Sequence, residues 1–82
     1  MVIFLGKYQL TCHAARGAAR AHGWIADWHI AQIGIGPAAE LAGATLSPAF
    51  EDHRSAMTAA RVAGMVTLEA MHAKAQQQRE QL

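Results

Sequence analysis

The chain has 82 residues, 52% of them hydrophobic, which is enough for one small domain. Seven lysines and arginines against six acidic residues leave a formal charge of +1, and so weak a field excludes long-range attraction to nucleic acid or to an anionic membrane. A single cysteine excludes an internal disulfide, and the apolar start before Gly6 is too short for a signal-peptide core or a membrane span, so we expect a cytoplasmic protein.

Residues 2–14 are predicted to form the first strand, because apolar side chains alternate with polar ones from Tyr8 to His13. Tyr8, Leu10 and Cys12 fall on one face of this strand. The overlapping segment 12–22 is mostly alanine and arginine, which favour a helix by propensity. Such a helix would have only alanine to bury, so we interpret the segment as a hairpin connection flanked by strand ends, with the helix as the alternative.

Residues 24–35 are predicted to form the second strand, since aromatic and β-branched side chains alternate with polar ones. Asp27 and His29 lie on one face. From Ile33 the apolar phase moves to odd positions, which indicates a bulge or bend near residues 32–34. The opposite, apolar face carries Trp24, Ala26, Trp28 and Ile30.

Gly36-Pro37 is a turn signal, and a weaker third strand is predicted over residues 38–46. Residues 37–41 are also compatible with one helical turn, because proline suits the first helical position. The glycines and alanine of Gly34, Gly36 and Ala39 match a relaxed dinucleotide fingerprint. That motif requires a βαβ unit, which the rest of the chain does not supply, so we interpret it as a turn.

A long helix is predicted over residues 51–78, followed by a frayed tail at 79–82, because the segment lacks proline and has a helical period. Asp52 is the expected N-cap. The chain is therefore predicted to be one α+β domain, in which about three antiparallel strands within residues 1–50 pack against this helix. The helical face predicted to meet the bulky sheet residues carries Ala56, Ala59, Ala60, Ala63, Val66 and Ala70, with Phe50 closing the end of the core.

No catalytic, cofactor or metal site is predicted. The histidines and Cys12 show no pair with zinc-ligand spacing, and the one geometry of interest is His13 beside His29 as cross-strand neighbours. Cys12, a histidine and Asp27 can be combined into a triad, but a cysteine on the apolar face of a strand is usually inert packing. We therefore expect a protein that is not an enzyme, with a small enzyme or metal protein as a remote alternative.

Two surfaces are candidates for binding a partner. The candidate interface residues Met57, Met65, Leu68 and Met71 lie beside or opposite the alanine stripe. A single helix on one sheet is not expected to bury all four, so they are either core or the docking face for a protein partner or a second copy. The candidate anion contacts, expected to gather at one end of the sheet in a nucleic-acid-binding alternative, are Lys7, Arg16 and Arg20.

The predicted layout resembles small bacterial proteins, some of them encoded among prophage genes including tail-assembly clusters, in which antiparallel strands precede one C-terminal helix. The resemblance is carried by Gly23-Trp24 at the start of a strand, by Phe50 before the helix, by Asp52 as its cap and by Ala56 four residues on. It implies an accessory or assembly role and assigns no site residues.

Overall fold

The computed structural model describes residues 1–16, 23–34, 39–46 and 49–80. One four-stranded antiparallel sheet, with the strand order β1-β2-β3-β4, packs against one helix, which confirms the predicted α+β class. The elements are β1 (Val2–Leu5), β2 (Tyr8–Arg16), β3 (Trp24–Gln32), β4 (Glu40–Thr45) and α1 (His53–Glu80).

The first predicted strand is in fact a hairpin, because the chain reverses at Gly6 and Lys7 between β1 and β2. Leu5 pairs with Tyr8, so the loop has two residues. Gly6 has a φ of 57°, which matches the two-residue loop that requires glycine at its first position. The prediction of one strand over 2–14 was wrong here because it rested on the alternation from Tyr8 to His13 and did not treat Gly6 as a loop residue.

The connection between β2 and β3 is flanked by strand ends, as predicted. β2 continues as far as Arg16 and β3 begins at Trp24, so the helical alternative for 12–22 does not hold for residues 12–16. Residues 17–22 lie outside the described part of the chain. The apolar face of β3 is confirmed, since Ala26, Trp28 and Ile30 are buried and Trp24 is half-buried.

β3 ends at Gln32 and the chain bends at Gly34, so the bend predicted near residues 32–34 is present. A separate irregularity lies in the pairing of β3 with β4. Ile30 pairs with Ala42 whereas Ala31 pairs with Glu40, so Leu41 is an extra residue on β4 and the bulge belongs to that strand. β4 is also shorter than the predicted strand 38–46. Glu40 and Leu41 are in strand, which removes the helical-turn alternative for them; residues 35–38 of that turn and of the glycine motif are not among those described.

Three hydrogen bonds fix the N-terminal end of the helix. The Ser55 N–H donates to Asp52 Oδ1 at 2.6 Å, so Asp52 is the N-cap as predicted. Trp24 and Phe50 exchange backbone hydrogen bonds of 2.7 and 2.8 Å, which ties the approach of the helix to the start of β3. Gly23 has a φ of 110°, a conformation that side chains disfavour.

The helix meets the sheet along a row that differs in part from the predicted one. Ala56 and Ala60 are fully buried as expected, but the row continues through Gly64 and Leu68. Val66 is 66% exposed, and Ala70 is exposed as well. The predicted face was wrong from Val66 onwards because the contact follows residues four apart, whereas the predicted set drifts onto the neighbouring row.

The helix has the predicted length of 28 residues but is displaced by two along the chain, because it begins at His53 and ends at Glu80 instead of spanning 51–78. The frayed tail expected at 79–82 stays a prediction, and residues 81–82 are not described. The core between helix and sheet contains nine buried residues, with Trp24 and Ala63 packed at its margin. The tryptophan face of the sheet and the small residues of the helix therefore meet as predicted. The nine buried residues are Tyr8, Leu10, Cys12, Ala26, Trp28, Ile30, Ala56, Ala60 and Leu68.

Candidate functional site

Strand β4 is the strand of the described sheet that helix α1 leaves uncovered. Helix α1 packs over β2 and β3, touches β1 at a few positions, and makes no comparable contact with β4. Of the six residues of β4, five are exposed and only Ala42 is half-buried. Ala44 pairs with the buried Trp28 and lies on the helix side of the sheet, yet it is exposed because no helix covers it. β4 is therefore open on both faces.

The outer edge of β4 carries backbone groups that point away from the sheet. Leu46 N–H donates to Ala26 O at 2.8 Å, and inward bonding alternates along an antiparallel strand. Ala44 and Ala42 are therefore the residues that bond to β3, whereas the N–H and C=O groups of Gly43 and Thr45 point outwards. Natural sheets usually guard such an edge with lysine, proline, other charged side chains or a β-bulge. The bulge of β4 lies at Leu41, and the sequence from Ala42 to Thr45 beyond it contains no lysine, proline or charge.

The one charged side chain of β4 is folded back onto β3. Glu40 Oε1 makes a short contact with His29 Nδ1. The carboxylate passes directly above Gly43, where an added Cβ would lie 2.8 Å from Glu40 Oε1 and 2.9 Å from His29 Nδ1. The hydrogen bond with Glu40 raises the pKa of His29 above its usual value. Because residue 43 is glycine, the Glu40 carboxylate can turn towards β3. No charged side chain is then left at the outer edge of β4.

This contact belongs to a small titratable cluster on the sheet face opposite the helix, the open face. Asp27 lies between two histidines, with Oδ1 at 3.7 Å from His13 Nδ1 and Oδ2 at 3.6 Å from His29 Nε2. The two imidazole rings are 6.4 Å apart between centroids, so the expected cross-strand proximity of His13 and His29 is confirmed. Within the described ranges, no set of three or more such side chains is arranged to hold a metal ion.

Small side chains line both the helix side of β4 and the flank of α1 nearest to it. Met57 and Arg61 line a cavity with Met1, and His72 lies over Gly6, so this flank of α1 faces β1 and its hairpin. At 100° per residue the opposite flank, on the side of β4, carries Ala59, Ala63 and Val66. We define the β4 groove as the space between this flank and the exposed helix-side surface of β4, formed by Ala42 and Ala44.

The candidate interface residues on the helix are mostly part of the core. Leu68 is fully buried, so its assignment to a docking face is wrong. Met57, Met65 and Met71 are half-buried and pack against the core. The contacts of the helix with β1, β2 and β3 bury more of its circumference than was predicted. The reason is that the β1–β2 hairpin was not predicted.

The candidate anion contacts are not brought together. Lys7 and Arg16 lie at opposite ends of β2, roughly 30 Å apart along a nine-residue strand, which contradicts their expected gathering at one end of the sheet. Lys7 Nζ lies 5.7 Å from the Tyr8 ring centroid and Arg16 Cζ lies 5.6 Å from that of Trp24. The predicted contact Arg20 lies outside the described residues.

Cys12 and Asp27 are on opposite faces of the sheet, since Cys12 is buried beneath the helix and Asp27 belongs to the open face. The triad that could be written from the sequence is therefore not assembled. Burial raises the pKa of the Cys12 thiol. This is typical of an unreactive cysteine that packs in the core.

The run Ala42-Gly43-Ala44 is part of the candidate site, but it was not predicted as one from the sequence. These residues have low strand propensity, and the segment was predicted only as a weak strand. What makes it a candidate site is its position at an edge that the helix leaves uncovered, which depends on strand order. Strand order is a tertiary property that local alternation does not specify.

A scan of protein-family models found no match to this chain, and searches among curated proteins and solved structures found none either. In the portion of the chain that the structure describes, no helix combines the length and the apolar character needed to cross a bilayer.

Proposed function

We propose that this chain is a non-enzymatic interaction protein, an accessory or structural component that works by binding another protein along β4. The observation that carries the proposal is the exposure of β4 on both faces and along its outer edge. Its central residues are alanine and glycine, which contribute little to strand stability by themselves. An exposed strand that the helix does not cover belongs to the less stable part of a fold, from which ligand-binding elements are usually drawn.

A binding partner would supply the contacts that β4 lacks. Any molecule that binds the folded strand stabilises it by mass action, and unpaired edge groups are a template for a further strand. The role agrees with the assembly function that the resemblance to prophage-encoded proteins implies.

Site-specific photo-crosslinking in cells that express the full chain tests this proposal. A photoreactive amino acid would replace Leu41 on β4 in one variant and Val62 on the outer helix face in a matched control, since these side chains are 46% and 55% exposed. We expect a discrete crosslinked protein product from position 41, absent from position 62 and lost when Thr45→Pro is added. Equal products from both positions, or none from position 41, would contradict the proposal.

A further inference from the structure

Building on the proposed function, we infer that the partner of β4 is an extended segment of another protein that adds to the sheet as a fifth strand. Its bulky apolar side chains, at alternate positions, fill the β4 groove, and basic side chains occupy the positions between them. The chemistry of this segment follows from three features of the surface.

The first feature is the set of outward backbone groups. Gly43 and Thr45 present N–H donors and C=O acceptors along one line, which an extended chain about 4.8 Å away satisfies with ordinary sheet hydrogen bonds. A helical partner forms its backbone hydrogen bonds internally, so it would not pair with the outward N–H and C=O groups of Gly43 and Thr45. The bare edge therefore selects an extended segment.

The second feature is the size of the residues that line the β4 groove. Ala42 and Ala44 form its floor, and Ala59 and Ala63 form much of its wall. Close packing requires large side chains to face small ones, so the segment must supply large apolar groups on the side that faces the helix. A second copy pairing through its own β4 would supply Ala42 and Ala44, because Leu46 on the same face is already packed against its own core, and most of the groove would stay empty. This argues for a different protein as the occupant.

The third feature is the charge on the open face. The Glu40 carboxylate lies above Gly43, next to the free edge, and Asp27 lies behind it on β3. The remaining titratable groups that face them are His29 and His13, which are at most singly positive. Side chains of a fifth strand that point to this face meet carboxylates, and lysine or arginine is complementary to them.

Selection from a displayed library of random ten-residue peptides against the full chain tests the inference. We expect the enriched peptides to alternate large apolar residues with positions rich in lysine or arginine. Binding of an enriched peptide, measured by fluorescence anisotropy, should weaken about tenfold in Thr45→Pro, which removes an outward N–H donor, and should be unchanged in Thr45→Val, which keeps it. Proline is tolerated at such an edge position, and far-ultraviolet circular dichroism would verify folding.

A second pair of variants tests the groove independently of the strand edge. Ala59→Glu places a charge in the wall of the β4 groove and should weaken peptide binding, whereas Thr58→Glu, 100° around the helix, should not. Enriched peptides without alternation, no enrichment at all, or binding indifferent to Thr45→Pro would overturn the inference. A dimer seen by light scattering and abolished by Thr45→Pro would assign the edge to a second copy, which overturns this inference while leaving the proposed function intact.

Discussion

Replacing Gly64 by alanine measures how closely the helix approaches the sheet. Gly64 is buried in the middle of α1, and an added Cβ would lie 2.6 Å from Leu10 Cδ1, 3.0 Å from Cδ2 and 3.3 Å from Cγ. Leu10 is itself fully buried, so its side chain cannot turn aside into solvent. The substitution therefore sets a favourable backbone effect against an unfavourable packing effect.

The two effects have comparable magnitudes. Alanine in place of glycine inside a helix stabilises by about 1 kcal/mol, whereas overpacking a close-packed core costs about 1–3 kcal/mol. We expect the free energy of unfolding of Gly64→Ala to fall by up to about 2 kcal/mol. A loss of 1 kcal/mol corresponds to roughly 4–8 °C in Tm for a chain of this size. Urea denaturation followed by tryptophan fluorescence would measure the difference.

A double-mutant cycle with Leu10→Ala separates the packing effect from the backbone effect. Leu10→Ala alone is expected to cost about 2–5 kcal/mol, but it also removes the atoms that meet the new Cβ. In that background Gly64→Ala should stabilise by the propensity difference of about 1 kcal/mol. Stabilisation of the same size in the native background, with no coupling between the two positions, would refute the close approach of helix and sheet.

The remaining predictions concern protonation, reactivity and backbone conformation. Because the pKa of His29 is raised in the folded state mainly by Glu40, the stability from this contact is complete below the unfolded pKa and is lost as the pH rises through the folded pKa. Thermal melts from about pH 5 to pH 8 should therefore show an advantage of the native chain over Glu40→Gln that shrinks with increasing pH; a constant difference would argue against the contact. Cys12 should react with a thiol reagent only at the rate of unfolding, and rapid labelling of the folded protein would show that it is accessible. Gly23→Ala should cost at least about 1–3 kcal/mol in chemical denaturation, since its φ is 110° and a Cβ would lie 2.6 Å from Phe50 O; an unchanged midpoint would contradict this backbone geometry.

The sequence was sufficient for the features that local chemistry dictates. The alternation in β3 placed Ala26, Trp28 and Ile30 on the buried face, and Asp52 was recognisable as a cap because an acidic residue precedes a long proline-free helical segment. The helix period identified Ala56 and Ala60 correctly. It failed at Val66 because a stripe of small residues is broad enough to fit two neighbouring rows.

The features that define the candidate site depend on which elements become neighbours. The Gly6-Lys7 reversal has a local sign in Gly6, which the prediction of one strand over 2–14 passed over, and without that hairpin the helix has no neighbour for Met57. The fold of Glu40 over Gly43 onto His29 requires the bulge at Leu41, which changes the face on which Glu40 lies. The bulge has no signature in local composition, so the uncovered edge of β4 becomes visible only in the assembled sheet.

Amide hydrogen exchange in the free, dilute protein tests most directly whether β4 is an incompletely supported strand. The amides of Ala42, Ala44 and Leu46, which face β3, are expected to exchange by local opening and far faster than the amides shared between β2 and β3, which require global unfolding. Equal protection of both groups would show that β4 is already fully stabilised within the isolated chain, and the reason for assigning a binding partner to its edge would disappear.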